Sequence, residues 1–320
     1  MISKVLYSIS NWISFSIGDL FYTILTIFIL FFIIRLILLI RKKEFILLKI
    51  QFSKGIYFLA AFYFIFHIVW GFNYYKTSLV EHFGTEEIKV EELKELAEMY
   101  WERSVVLRNQ VQEDENGVFK MSLTQGEIRL IISEIANDLN KKYPELLIRN
   151  NNSPNLKPSF YSTLFSYLGV SGYYIPFTTE AQYNENLPAT KLLFTQLHET
   201  AHQWSFAPEN EANFVGFLLG VESSNLELQY VANFRAMRSI LNRLLWIEPQ
   251  YVKDFLEKYS PGMQRDREYE LKILRKYNHK AEDAFSLMNE AFLRINNQEG
   301  LESYGRFVEL LVGYNRKYLN

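Results

Sequence analysis

Residues 193–214 read LFTQLHETAHQWSFAPENEANF, and they bring two histidines and three glutamates into one short stretch. Apolar residues recur at helical spacing before the histidines, and Pro208 suits the first turn of a second helix. His198 and His202 are four residues apart in the sequence. On a helix both imidazoles therefore project from one face. We expect two consecutive helices, at about 188–205 and from Pro208 onward, that hold a polar site between them.

The HExxH spacing of this pair is typical of a zinc site. Two imidazoles one helical turn apart can share one Zn²⁺, which is therefore the expected cofactor. Glu199 is rotated by about 100° from His198 around the helix. It could reach a metal-bound water without ligating the metal. We therefore predict that Glu199 is the catalytic general base.

A zinc site of this kind needs a third protein ligand and an open position. Glu209 is our first candidate for that ligand, because Glu209 and Asn213 would share one face of the second helix. Asn213 would then hold one of the ligands in place without touching the metal itself. Glu211 is the rival third ligand. The alternative interpretation of both glutamates is a charge pair that favours a helix N-terminus.

Two further features complete a possible active site. The segment Gly172, Tyr173, Tyr174 and Ile175 is the best strand candidate, and Pro176 would confine this strand to a sheet edge. Such an edge could bind an extended peptide. A developing oxyanion needs a hydrogen-bond donor. The candidates for that donor are Tyr230, Tyr304 and Arg306, and the sequence does not choose among them.

Two apolar stretches near the N-terminus are long enough to be transmembrane helices. Residues 20–40 and 56–72 form these predicted spans, with Arg35 near the end of the first and Trp70 at the end of the second. His67, inside the second span, is interpreted as a packed or interfacial residue.

Basic residues predict the orientation of these spans. Residues 41–55 hold four lysines and one arginine against one acidic residue. The positive-inside rule therefore predicts a cytoplasmic loop there. Residues 1–75 would form a multi-pass anchor in the cell (inner) membrane, and residues 76–320 an extracytoplasmic domain.

The fold class predicted for the whole chain is α+β, mainly α. Helical patterns recur in the body, at about 90–101, 124–143, 225–246, 251–256, 266–277, 281–296 and 301–318, and residues 150–158 have a loop composition. The chain has no cysteine, which excludes disulfides and cysteine metal sites, and its net charge is −2. The charge gives no reason to expect a nucleic-acid partner.

HETAH followed by ENEAN resembles the gluzincin metallopeptidases, which use HExxH and a downstream glutamate. The usual aspartate four residues after that glutamate is Asn213 here. The segments WGFNYY, SGYYIPF, EAQYN, HETAHQ and ENEANF are together similar to a bacterial family, domain of unknown function thirty-eight-ten. That resemblance implies two membrane spans followed by a zincin-like domain, and no known substrate.

The function expected from these features is zinc-dependent hydrolysis of peptide bonds at the membrane. The expected partners are the lipid bilayer and a peptide or envelope protein substrate. Two alternatives remain open. One is a non-catalytic envelope scaffold with a structural metal site, and the other is a zinc hydrolase of a non-peptide amide bond.

Overall fold

The computed structural model describes residues 2–83, 87–148, 153–277 and 303–319. This part of the chain is mostly helical and contains one three-stranded sheet. The α-helices, numbered α1 to α13 in chain order, are Ile2–Ser10, Ile17–Arg41, Phe45–Val69, Leu79–Phe83, Val90–Arg108, Gln125–Lys142, Ser162–Tyr167, Ala189–Gln203, Glu209–Val221, Leu226–Leu245, Pro249–Glu257, Pro261–Tyr277 and Ser303–Tyr318. Short 3-10 helices span Gly71–Tyr75 and Pro144–Leu146.

Helices α2 and α3 are long and apolar enough to cross a membrane. Each has 25 residues, and in the most apolar part of each helix no residue is buried by the rest of the protein. A helix of this length spans about 37 Å, which exceeds a hydrocarbon core of about 30 Å. The two helices contact each other through Phe28 and Phe58, whose ring centroids are 5.6 Å apart. Length and composition are therefore consistent with membrane anchoring.

The predicted loop at 41–55 is mostly helical. Only residues 42–44 form a turn between α2 and α3, and α3 begins at Phe45. Residues that we assigned to the loop, including Lys49 and Lys54, instead occupy the first turns of α3. Lys49 stays near the same end of the helix pair as the basic turn, whereas Lys54, next to Gly55, lies level with Phe32 of α2 and about three turns further along α3. Near the other end of α3, His67 packs edge-on against Tyr63 at 4.3 Å, in agreement with its interpretation as a packed residue.

The sheet has the strand order β1-β3-β2, with β1 at Leu156–Pro158, β2 at Gly172–Ile175 and β3 at Glu180–Tyr183. Strand β2 pairs antiparallel with β3, and β1 pairs parallel with β3. Strand β2 therefore lies at a sheet edge and ends before Pro176, as its sequence predicted. The loop predicted at 150–158 is wrong for residues 156–158, which form β1.

The central strand β3 is buried along its whole length. Its sequence, EAQY, alternates polar and apolar residues over only four positions, and its polar residues Glu180 and Gln182 are themselves buried, which local composition does not predict. Glu180 forms a buried ion pair with Lys157 of β1. Nonlocal pairing and this ion pair therefore explain two strands that local composition does not predict.

The first turn of α2 docks onto this sheet. The Glu180 carboxylate accepts the backbone N–H of Ile17 at 3.1 Å and that of Gly18 at 2.5 Å. The Asp19 carboxylate accepts the N–H of Phe160 at 2.7 Å and the hydroxyl of Tyr173. The sheet is thereby joined to the end of the first apolar helix.

The core lies where α8, α9 and α10 pack together, with α5 and α13 on its outer sides. Two glycines permit close helix packing. A Cβ at Gly216 of α9 would lie 3.1 Å from the backbone nitrogen of His198 in α8. A Cβ at Gly220 would lie 2.3 Å from the Cβ of Ala232 in α10. Helix α9 therefore approaches the backbone of α8 beside its histidines.

Most predicted helices agree with the structure. A capping box at Thr124 and Glu127 begins α6, and α8, α10 and α12 lie close to their expected ranges. No sequence pattern predicted α1, α4 or α7. The helix predicted at 281–296 lies outside the described residues.

Candidate metal centre

Helix α8 holds His198, Glu199 and His202 in its last two turns. Helix α9 begins directly after a short connection, and its first residue is Glu209. Glu209, Asn213, Gly216 and Gly220 follow one another at spacings of four, three and four residues, so they form one stripe along α9. Since Gly216 packs on the backbone of His198, this stripe faces α8. The glycines thus bring the Glu209 carboxylate to the histidines.

His198, His202 and Glu209 each offer one ligand atom, and these atoms all lie within 4.8 Å of one another. His198 Nε2 is 3.2 Å from Glu209 Oε2, and His202 Nε2 is 3.6 Å from Glu209 Oε1. Ligands about 2.1 Å from a tetrahedral zinc ion lie about 3.4 Å apart. Two imidazole nitrogens and a carboxylate oxygen at these separations fit a divalent metal such as zinc.

A backbone contact fixes the orientation of the His202 ring. Its Nδ1 lies 2.7 Å from the carbonyl oxygen of Phe206, which leaves Nε2 facing Glu209. Metal-binding histidines commonly make such a bond through the nitrogen that does not ligate. Burial opposes a charge on His202, but the Glu209 carboxylate prevails and raises the pKa of His202 to about 9.

The charges of the other two residues follow from their neighbours. Burial works against the charged form of Glu209, yet His202 and His198 hold the pKa of this carboxyl well below its usual range. Burial lowers the pKa of His198. Without a metal the site therefore carries a carboxylate against a protonated His202. A bound dication would replace that proton, because a ligating imidazole must be neutral.

Glu199 lies beside this cluster and against strand β2. A Cβ at Gly172 would be 2.7 Å from Glu199 Oε1, so only glycine lets the strand come this close. Burial raises the pKa of Glu199 to about 8, and the Glu209 charge adds to this effect. Among the described residues, neither Glu199 Oε2 nor His198 Nδ1 has a hydrogen-bond partner, although both atoms are buried. A buried acid with an unpaired oxygen is a candidate for proton transfer.

Glu211 and Asn213 have partners away from the histidines. The Glu211 carboxylate accepts the N–H of Leu79 at 2.8 Å and so holds the start of α4. Asn213 Nδ2 donates to the backbone carbonyl of Glu209 at 2.8 Å. Asn213 thus contacts the main chain of Glu209, whereas we expected it to steady a ligand side chain. The geometry favours Glu209 over Glu211 as a metal ligand.

Two of the predicted oxyanion donors, Tyr230 and Arg306, are not brought to the cluster. The Tyr230 hydroxyl is buried and donates to Asp266 at 2.6 Å, which also pairs with Arg108. Arg306 lies on α13, outside the lining of the cavity described below. Tyr304 lies on the same helix, but its side chain is outside the described part of the structure.

Two residues that we did not assign to the site, Trp70 and Arg235, lie close to the cluster. Trp70 places its ring centroid 6.0 Å from that of His202 and 4.8 Å from that of Tyr174. Arg235 of α10 stacks over Phe194 at 5.5 Å, and its charge acts on His198. Arg235 follows Tyr230 by five residues and belongs to no short motif, so only the packing of α10 against α8 could reveal it.

The cluster opens into one large cavity of about 1230 Å³. His198, Glu199, His202 and Glu209 line one part of it, and Arg235 lines the same cavity. Strand β2 contributes Gly172, Tyr173 and Tyr174 to the wall. The cluster, the buried acid and the sheet edge therefore share one space that a substrate could enter.

Comparisons with known proteins identify a family without assigning an activity. A search of curated proteins and a search of solved structures both found no match. The profile of one family, described as protein of unknown function (DUF3810), matches residues 1–312. The matched residues include both apolar helices and the cluster of His198, His202 and Glu209. The chain therefore belongs to this family of proteins of unknown function, DUF3810.

Proposed function

We propose that this protein is a membrane-anchored, zinc-dependent peptidase of the gluzincin type with a zincin-like domain. The observation that carries the proposal is the convergence of His198, His202 and Glu209 within 4.8 Å, beside the buried Glu199. Zinc would be held by these three residues, with Glu209 preferred over Glu211. Three protein ligands leave a coordination position for chemistry, whereas a structural zinc site usually has four.

Bound zinc would polarise the scissile carbonyl and make water a nucleophile near neutral pH. Glu199 would accept a proton from the attacking water and pass it to the leaving amine. Its pKa of about 8 belongs to the metal-free site, and a dication nearby would lower that pKa. Glu199 would thus be ionised when the metal is bound, as a general base must be.

Two other groups on the cavity wall suit roles in catalysis. The edge of β2 offers backbone groups to an extended peptide, and Gly172 brings that edge against Glu199. Arg235 carries a fixed positive charge close enough to act on His198. We propose Arg235 as the residue that stabilises the oxyanion, in place of Tyr230, Tyr304 or Arg306.

The anchor would consist of α2 and α3, with residues 42–44 in the cytoplasm and the metal centre outside the inner membrane. Arg41, Lys42, Lys43 and Lys49 support this orientation, because they lie at or near the end of the helix pair away from the metal centre, and Lys54 lies about three turns into α3. The centre itself lies beside Trp70, directly after α3. Hydrolysis would therefore occur at the outer surface of the membrane.

The test compares wild type, Glu199→Gln and Arg235→Gln in the full chain, purified in detergent and loaded with zinc. We expect the wild type to cleave a random peptide library, as read by mass spectrometry of new termini. Glu199→Gln should keep its zinc and lose at least about 100-fold in rate, since general-base catalysis contributes 10²–10⁴-fold. Zinc binding without peptide cleavage would contradict the peptidase proposal and favour a structural metal site or a non-peptide amide substrate.

A further inference from the structure

The cavity at the metal cluster continues between the two apolar helices. Tyr22 and Leu25 of α2 line it, together with four residues of α3, which are Leu59, Phe62, Tyr63 and Phe66. The same cavity reaches His198 and Glu199. A substrate at the cluster is therefore in one continuous space with the surfaces of the apolar helices.

The position of these residues along the helices shows how far the cavity extends. Leu25 follows the first residue of α2, Ile17, by eight residues, and Leu59 precedes the last residue of α3, Val69, by ten. At 1.5 Å per residue these offsets are about 12 and 15 Å. Half of a hydrocarbon core is about 15 Å thick. With α2 and α3 in a bilayer, the cavity would reach well into its outer half.

The chemistry of the cavity wall changes between its two ends. The lining residues from α2 and α3 are all aromatic or aliphatic, and none carries a charge. Aromatic contacts continue this wall towards the cluster, with Phe62 against Phe177 at 5.0 Å and Trp70 against Tyr174 at 4.8 Å. The histidines and the acidic and basic side chains of the lining lie on α8, α9, α10 and α12, and they are Lys191, His198, Glu199, His202, Glu209, Arg235, Arg238 and Glu270.

A molecule that fills this cavity must therefore be apolar where it contacts α2 and α3 and polar where it reaches the cluster. The open edge of β2 indicates that the polar part is an extended polypeptide, because a strand edge pairs with peptide groups. The wall from α2 and α3 indicates an apolar segment that remains in the membrane. The metal cluster is separated from the end of α3 by little more than the Trp70 ring. Three to five extended residues span about 10–18 Å, which is enough to pass this ring and reach the cluster.

We propose that the substrate is a membrane-inserted polypeptide that enters laterally past α2 and α3 from the outer half of the bilayer. Its scissile bond lies about three to five residues beyond its apolar segment. Hydrolysis adds one water across the peptide C–N bond and yields a carboxylate and an amine, so it releases the outer part of the substrate. This inference rests on the proposed peptidase function and adds the class of substrate.

The first experiment compares two peptide libraries with the full chain in zinc-loaded liposomes. Both libraries contain the same eight randomised residues, joined in one to a membrane-spanning Leu/Ala segment and in the other to a soluble Gly/Ser segment. We expect cleavage of the anchored library to be at least tenfold faster, with cuts close to the apolar segment. Equal rates would support the peptidase and overturn the proposed substrate class.

A second measurement needs neither zinc nor turnover. The chain has no cysteine, so a photoreactive maleimide can be placed at Phe62→Cys or, as a matched control, at Phe64→Cys. Phe62 lines the cavity, whereas Phe64 on the same helix is 66% exposed and does not. We expect the anchored peptide to cross-link several-fold more from position 62 than from position 64.

The two measurements distinguish failure of the inference from failure of the proposed function. Equal cross-linking from positions 62 and 64 would overturn the lateral entry route even if peptides are cleaved. Preferential cross-linking from position 62, without cleavage of either library, would support the route and contradict the peptidase. Cross-linking of the soluble library with the same yield would show that the apolar wall does not select a membrane-inserted chain.

Discussion

Two glutamates that are only two residues apart in the sequence, Glu209 and Glu211, have different environments in the structure. Glu209 meets both histidines, whereas Glu211 is buried and binds the first N–H of α4. Helical spacing favoured Glu209, since only Glu209 shares a face with Asn213. Periodicity can rank such candidates because it depends on local geometry. It cannot identify the partner of Glu211, because Leu79 is far away in the sequence.

The matched variants Glu209→Gln and Glu211→Gln test this assignment. Glu209→Gln removes the negative charge from the ligand set. Loss of a residue that only contacts a metal ligand already costs 10–100-fold in metal affinity, so we expect zinc affinity to fall more than about 100-fold when a ligand itself is changed. Glu211→Gln keeps an acceptor for Leu79, and its zinc affinity should stay within about threefold of wild type, given that it makes no metal contact in this assignment. Competition titration with a chromogenic chelator measures both. A larger loss in Glu211→Gln would reverse the assignment.

The local sequence does not identify the residue that would donate a hydrogen bond to the oxyanion. Tyrosine and arginine can act as donors, but the chain has 21 tyrosines and no local pattern separates them. Tyr230 is engaged by Asp266, which lies 36 residues away in the sequence. Arg235 reaches the cavity only because α10 packs against α8. Long-range packing, which periodicity does not encode, decides both cases.

Among the structural elements, α8 and α9 position the site, and Gly216 sets the distance between them. A Cβ at this position would meet backbone atoms of α8, at 3.1 Å from His198 N and 3.2 Å from His198 Cα. Backbone atoms cannot rotate away as a side chain could. The local sequence predicts both helices, but the requirement for glycine at position 216 follows only from how closely α9 crosses α8 in the structure.

We therefore expect Gly216→Ala to separate α9 from α8. Overpacking of this kind costs about 1–3 kcal/mol in the free energy of unfolding, and the displaced Glu209 should weaken zinc binding. The control is Gly126→Ala, at an exposed position in α6 whose nearest atom would be 3.9 Å from the new Cβ. It should stabilise the protein by about 0.5–1 kcal/mol and leave zinc affinity unchanged. Thermal unfolding and zinc titration measure the two effects. Unchanged stability and zinc affinity in Gly216→Ala would contradict the close-packing argument.

The sheet contacts connect the first apolar helix to the site. Glu180 accepts the N–H groups of Ile17 and Gly18 and pairs with Lys157. Removal of one partner from a buried ion pair costs about 3–5 kcal/mol. We expect Glu180→Ala to destabilise the protein by that amount and to expose the first turn of α2 to proteolysis. Normal thermal stability, together with unchanged protease resistance at residues 10–20, would contradict this docking.

In the whole molecule, the cluster of His198, His202 and Glu209 lies beside the ends of the two apolar helices. The sequence predicted the spans, the mainly helical body and the polar cluster, because each has a local signal in hydropathy or spacing. It did not predict that Trp70 and the helix surfaces form part of the cavity. A fragment that starts near Lys76 would lack these walls, so functional experiments require the full chain.

The orientation in the membrane can be measured with single cysteines in this cysteine-free chain. We expect Lys42→Cys to react with a membrane-impermeant maleimide only after the membrane is opened. Gln250→Cys, on the exposed start of α11, should react in intact spheroplasts. The wild type serves as the unlabelled control. Labelling of Lys42→Cys in intact spheroplasts would place the basic turn outside and contradict the orientation.

We expect His198, His202 and Glu209 to bind one zinc ion. The most direct measurement is the metal content of the purified full chain by mass spectrometry, for wild type, His202→Ala and the matched control His82→Ala outside the site. We expect one zinc per chain in the wild type and the control, and less than about one tenth of that in His202→Ala, since the pair of imidazoles would be lost. A full zinc complement in His202→Ala, or no zinc in the wild type when zinc is supplied, would contradict the assignment of these three residues as zinc ligands.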